Sequence, residues 1–83
     1  MTQVVRVTAD KIRKLEVQGA RNVAIAAIKA LEALAEKTSA KTRREFMKEL
    51  LEAQATLFAS RATEPLMRNA VRWIISQIGR AHV

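Results

Sequence analysis

The chain has no cysteine, and its 83 residues include one histidine, one proline and two glycines. Without cysteine there is no disulfide, and a single histidine cannot complete a Cys/His metal cage. The shortage of proline and glycine leaves few helix breakers, and β-branched residues are not set in alternation, so a strand-rich fold is excluded. Long apolar runs are also missing. The longest, Val-Ala-Ile-Ala-Ala-Ile at 23–28, falls far below the ~18 residues that a bilayer demands. The amino terminus, MTQVVRVTAD, lacks the basic segment and apolar stretch of a secretory signal. These absences predict a soluble, cytoplasmic protein with no membrane contact.

Catalytic chemistry is equally short of material. There is no thiol nucleophile, and the one aspartate, Asp10, suits a helix start. His82 stands next to the last residue, where chains fray. Glu45, Glu49 and Glu52 lie at helical spacings beside Arg and Lys, a pattern of surface ion pairing rather than of paired catalytic carboxylates. No phosphate loop, dinucleotide fingerprint or metal-ligand spacing occurs. The chain alone is therefore expected to be no enzyme and to hold no cofactor and no metal.

What the chain does have is helix-forming residues and positive charge. Fifteen Lys and Arg against eight Asp and Glu leave a net charge of +7. Such a balance invites a nucleic-acid reading. The charges are spread from Arg6 to Arg80, however, and the one dense basic run, Lys41-Thr42-Arg43-Arg44, has no aromatic residue for base stacking. The charge fits a solvated surface, or a basic face matched to an acidic partner, better than a dedicated RNA-binding domain.

Eighty-three residues make one domain, and a chain of this size buries only roughly 60% of the surface its unfolded form exposes. The apolar spacing predicts an all-α domain, a small bundle of four helices over residues 8–79. The first helix is predicted from Thr8 as N-cap, with Asp10 in its first turn and Ile12, Leu15 and Val17 on its apolar edge. The second is predicted over 20–37, opened by the break at Gly19. Its core stripe is Val23, Ala24, Ala27, Ile28, Leu31, Leu34 and Ala35, and Ile25 falls in its polar stripe. Thr42 followed by Glu45 has capping-box spacing and opens a third helix running to about Ala59. Its apolar residues are Phe46, Leu50, Ala53 and Leu57, flanked by Met47, Leu51 and Phe58. A fourth helix is predicted from Thr63 as N-cap, with Glu64 and Pro65 in its first turn and Gly79 as its C-cap. Its apolar face is too wide for three short neighbours. Trp73, Ile75 and Ile78, with Ile25 of the second helix, are therefore the expected surface for a protein partner.

Two loop-to-helix junctions are candidate anion sites, because each presents free backbone amides and the positive end of a helix dipole. One is Gln18-Gly19-Ala20. The other is Arg61-Ala62-Thr63, where Arg61 adds a forked donor.

Together, KIRKLEVQGARNVAIAAIKALEALAE and LFASRATEPLMRNAVRWI resemble the amino-terminal helical domain of proteins related to the regulatory subunits of translation initiation factor 2B. That family includes archaeal initiation-factor-like proteins, ribose-1,5-bisphosphate isomerase and methylthioribose-1-phosphate isomerase. The resemblance covers roughly residues 9–78. It implies that Gly19, Ala20, Arg61 and Thr63 derive from a pocket that encloses a sugar phosphate, with Pro65, Asn69 and Arg72 following the second motif. Gln18 stands where the isomerases carry arginine, and Ala62 where proline is usual. The family's catalytic cysteine and aspartate lie in a larger Rossmann-like domain that this chain lacks. The resemblance thus implies a fragment, or a stand-alone form, of the helical domain. The leading expectation is a non-catalytic, initiation-factor-2B-like module that acts through protein contacts, as a homo-oligomer or within an initiation factor complex. The alternatives are the substrate-capping domain of a sugar-phosphate isomerase and a basic RNA-binding domain.

Overall fold

A computed structural model describes residues 3–61 and 64–81. The architecture is all-α, with four helices: α1 (Gln3–Arg13), α2 (Ala20–Lys37), α3 (Arg43–Ser60) and α4 (Pro65–Ala81). Among the described residues there is no strand.

Helix α1 begins five positions before the expected cap, so Thr8 lies in its middle. The reason is packing. Val5, Ala9 and Ile12 are buried at steps of four and three, and Val5, fully buried, anchors the turn that precedes Thr8. Asp10 consequently sits near the end of α1, where it pairs with Arg13 and with Lys14 at 3.0 Å. The helix closes in a Schellman turn: the Glu16 amide donates to the Lys11 carbonyl at 2.9 Å and the Leu15 amide to that of Ile12 at 3.1 Å. Such a turn needs a left-handed residue, and Leu15 supplies it at φ +64°. Leu15 is therefore not on the apolar edge; it is 54% exposed.

Helix α2 follows the predicted limits and buries the predicted stripe, with Ile28 and Ala35 partly buried at its margin. Its alanines let neighbours approach closely. Helix α3 starts at the predicted cap: the Thr42 hydroxyl accepts from the Glu45 amide at 3.1 Å. The Glu45 carboxylate reaches back to the amide of Lys41 at 2.9 Å, one residue before the cap. Glu49 accepts from the Thr38 hydroxyl, whose oxygen in turn takes the Ala40 amide at 3.1 Å. Glu45 and Glu49 thus fasten the α2–α3 connection instead of forming the expected pairs with Lys and Arg.

Helix α4 opens with Pro65 in its first position, where the missing N–H costs nothing. The carbonyl that starts its ladder belongs to Glu64, which accepts from the Arg68 amide at 3.2 Å. Thr63, the expected N-cap, lies outside the described residues, as does His82. Gly79 is not a cap: α4 continues to Ala81, and Gly79 lies within it, buried against Met47 of α3.

The helices form a square. Helix α2 packs most extensively on α4, α1 leans on both α3 and α2, and the backbones of α1 and α4 do not approach each other closely among the described residues. Helices α3 and α4 are antiparallel, since Phe58 meets Arg68 and Arg72 while Met47 meets Gly79. The core is wholly apolar among the described residues. Phe46, Ile12, Leu31, Leu34, Leu50 and Leu57 are its largest fully buried members, each stabilising the fold by about 1.5–3 kcal/mol relative to exposure.

Candidate anion site at the shared helix end

The square brings the carboxyl ends of α1 and α3 to one end of the bundle. Short connections, 14–19 and 61–64, then start α2 and α4 from that same end. One hydrogen bond ties the second connection to the end of α1: Arg61 donates from Nη2 to the Ile12 carbonyl at 3.0 Å, across 49 residues of sequence. Ile12 is in the last turn of α1, whose carbonyls carry the negative end of the dipole, so a guanidinium is favoured there.

The α1–α2 connection is held by side chains. Gln18 donates from Nε2 to the Leu15 carbonyl at 2.8 Å, and Asn22 from Nδ2 to that of Gln18 at 3.2 Å. Gly19 takes the N-cap position of α2 at φ +88° and ψ 134°, and no side chain caps the helix. A Cβ on Gly19 would meet only Asn22 Nδ2 at 3.7 Å, so the backbone dihedral and not crowding requires glycine. Gly19 and Ala20 are both exposed, and Arg61 is half-buried.

Further cations surround this end. The Arg68 and Arg72 guanidiniums stand 4.6 and 5.4 Å from the centroid of the Phe58 ring. Arg13 and Lys14 share Asp10, and these hydrogen bonds, Lys14 first, hold the Asp10 carboxyl below its ordinary value. Of the four residues expected to form a pocket, then, Gly19, Ala20 and Arg61 belong to two junctions at one end, and Thr63 is outside the described residues. Sequence reasoning missed that Arg61 also ties α3 to α1. No local signal could carry this, because the acceptor is a backbone carbonyl in a distant helix.

The expected partner surface divides. Trp73 is 59% exposed and Ile25 39% exposed, as anticipated, whereas Ile78 is partly buried against the core. Ile75 is a core residue, 7% exposed. It continues the stripe of Met67 and Val71 at four-residue steps, while Trp73 falls off that stripe. Among the described residues no group of His, Asp and Glu is arranged to hold a metal ion, and no helix is long and apolar enough to cross a membrane.

Residues 16–82 match the initiation factor 2 subunit family, a stretch that includes both junctions and three of the four helices. The chain belongs to the initiation factor 2 subunit family. Within it, the chain is similar to ribose 1,5-bisphosphate isomerase of Pyrococcus furiosus, 42% identical over 67 residues, covering 81% of this chain and 21% of that protein. The enzyme of the same name from Thermococcus kodakarensis is 39% identical over 67 residues, with the same coverage of 81% and 21%. That of Haloterrigena turkmenica is 36% identical over 69 residues, covering 83% of this chain and 21% of the relative. The chain therefore spans about a fifth of the length of these curated relatives. No solved structure matches it significantly.

Proposed function

We propose that this chain is the helical, substrate-covering part of a sugar-phosphate isomerase-like member of the initiation factor 2 subunit family. In this reading the end shared by α2 and α4 receives a phosphate group. The amides opening α2 after Gly19 and those opening α4 after Glu64 point toward that end, and both helix dipoles favour an anion there. Arg61, with one donor on Ile12, keeps further N–H groups for a phosphate oxygen. The acid–base groups for isomerisation would come from other parts of a longer protein, and this chain would bind and shield the substrate without reacting with it. The observation that supports the reading is the Arg61–Ile12 hydrogen bond, which ties Arg61, inside the stretch matched to the family, to the end of α1, from which the chain runs on to Gly19.

The test is a titration of the chain with ribose 1,5-bisphosphate and with inorganic phosphate, followed by amide chemical shifts. Shifts at Gly19–Asn22 and at Glu64–Met67 are expected. Gln18→Arg, which adds one charged donor beside Gly19, should tighten phosphate binding about fivefold. Amides at these junctions that stay unmoved to tens of millimolar ligand refute the reading.

A non-catalytic regulatory module is favoured by a different observation, the exposure of Trp73. An indole 59% exposed on α4, with Ile25 also open on α2, fits a surface that a second subunit or an initiation factor covers. Light scattering of the wild type and of Trp73→Ala separates the two. Oligomers that dissociate in the variant support assembly through this face, and a monomer in both removes self-association.

A further inference from the structure

Helix α3 leaves one face largely uncovered by the other helices. Its core side is Phe46, Leu50, Ala53 and Leu57. Beyond it Arg43, Met47, Leu51 and Ala55 follow one another at four-residue steps, with Arg44 and Lys48 alongside, and together they line one open groove, of which Met47, half-buried against Gly79 of α4, forms the edge. Leu51 is 53% exposed, and the three cations and Ala55 are exposed as well. None of these cations is in an ion pair with a described residue. Two acids that could have neutralised them, Glu45 and Glu49, are engaged by the Lys41 amide and the Thr38 hydroxyl, leaving Glu52 as the one carboxylate in the groove.

The position of Arg43 and Arg44 is itself informative. They occupy the first turn of α3, at the positive end of its dipole, where a cation is unfavourable. Two arginines are thus placed against the helix's own preference, beside an uncovered leucine.

We propose that this face of α3 docks an acidic amphipathic helix of a protein partner. Met47, Leu51 and Ala55 form an apolar strip about 12 Å long, the length over which a second helix presents anchors at i, i+4 and i+7. The cations at the start of the strip meet carboxylates on the partner's flank, and the dipole of α3 adds to the attraction. A second copy of this chain is a poor occupant, because it brings a net charge of +7 to a basic groove. RNA would meet the cations, but the groove offers no aromatic side chain for its bases and leaves Leu51 uncovered. The groove begins at the opposite end of α3 from Arg61, so it stands or falls separately from the anion site.

The probe is a fluorescein-labelled, helix-forming 18-residue peptide with leucines at i, i+4, i+7 and i+11 and glutamates on both flanks, titrated with the full chain. Anisotropy should show binding, and amide shifts should centre on Arg43–Ala55. The double variant Arg43→Gln/Arg44→Gln should bind about tenfold more weakly at low salt, and Leu51→Ser about fivefold more weakly. The double variant should also unfold at the same or a higher temperature than wild type, which separates lost docking from lost folding. Equal binding of a scrambled peptide, shifts centred on Trp73 or Gly19, or wild-type affinity in the double variant overturns the proposal. So does oligouridylate that occupies the same residues more tightly than the peptide, which assigns the face to nucleic acid.

Discussion

Two leucines of matched exposure allow the backbone at the end of α1 to be weighed by itself. Leu15 is 54% exposed and left-handed, at φ +64°, while Leu51 is 53% exposed inside α3. Replacing either with glycine removes a similar amount of partly buried surface and adds the same freedom to the unfolded chain, so both effects cancel in the comparison. The difference that remains is conformational. A left-handed L-residue is unfavourable by roughly 1–2 kcal/mol, which Leu15→Gly relieves. Leu15→Gly should therefore leave the protein more stable than Leu51→Gly by roughly 1–2 kcal/mol, and its Tm higher by about 5–10 °C. Urea unfolding followed by far-UV circular dichroism measures the gap, with equal m-values confirming a common unfolded state. Equal losses in the two variants would refute the reasoning, because they would mean that the Schellman turn imposes no strain on Leu15.

The two glycines should respond in opposite directions to alanine. Gly79→Ala gains about 1 kcal/mol of helix propensity, and the new Cβ meets Met47 Sδ at 3.2 Å, an atom at the mobile end of a side chain, so a net rise in Tm is expected. Gly19→Ala has room for its methyl group but not for its dihedral, and should lower stability by about 1–3 kcal/mol in the same thermal scan. Thr42→Ala removes the acceptor for the Glu45 amide and should lower the urea midpoint by the equivalent of about 1 kcal/mol. Asp10, lowered by its hydrogen bonds to Lys14 and Arg13, contributes stability that is complete above its ordinary value of 3.8 and is lost as pH falls through its lower folded value. A carboxyl chemical-shift titration should show this depressed midpoint in the wild type and a return toward 3.8 in Lys14→Gln/Arg13→Gln.

Where one local rule governs, the sequence is a good guide to this fold. Gly19 and the alanine-leucine spacing delimit α2, and Thr42 with Glu45 marks the start of α3. The start of α1 was hidden because Thr8 and Asp10 mimic a cap, while Val5, which extends the helix, gains its energy only from neighbours. Gly79 mimics a terminus for a related reason: a glycine where two helices touch is indistinguishable in sequence from one where a helix stops. The motifs at Gly19 and Arg61 were legible from their resemblance to a family. Their common location was not, since it depends on the path of the whole chain. Ile75 and Trp73 show the same limit within one helix, where two apolar residues a step apart point to core and to solvent.

The square arrangement has a consequence for synthesis. The most extensive helix pair, α2 with α4, joins the second element to the last. When α2 leaves the ribosome its alanine stripe has only α1, an 11-residue helix too short to persist alone, to lean on. Closing the α2–α4 contact requires α3 to be looped through, and no partial product of the chain contains the completed core. The contacts of α1 with α2 and α3 can close first, but the side of α2 that packs on α4 stays uncovered until Ile74 and Ile75 emerge. A chaperone or a translating ribosome would meet the alanine stripe of α2 uncovered until α4 has been made.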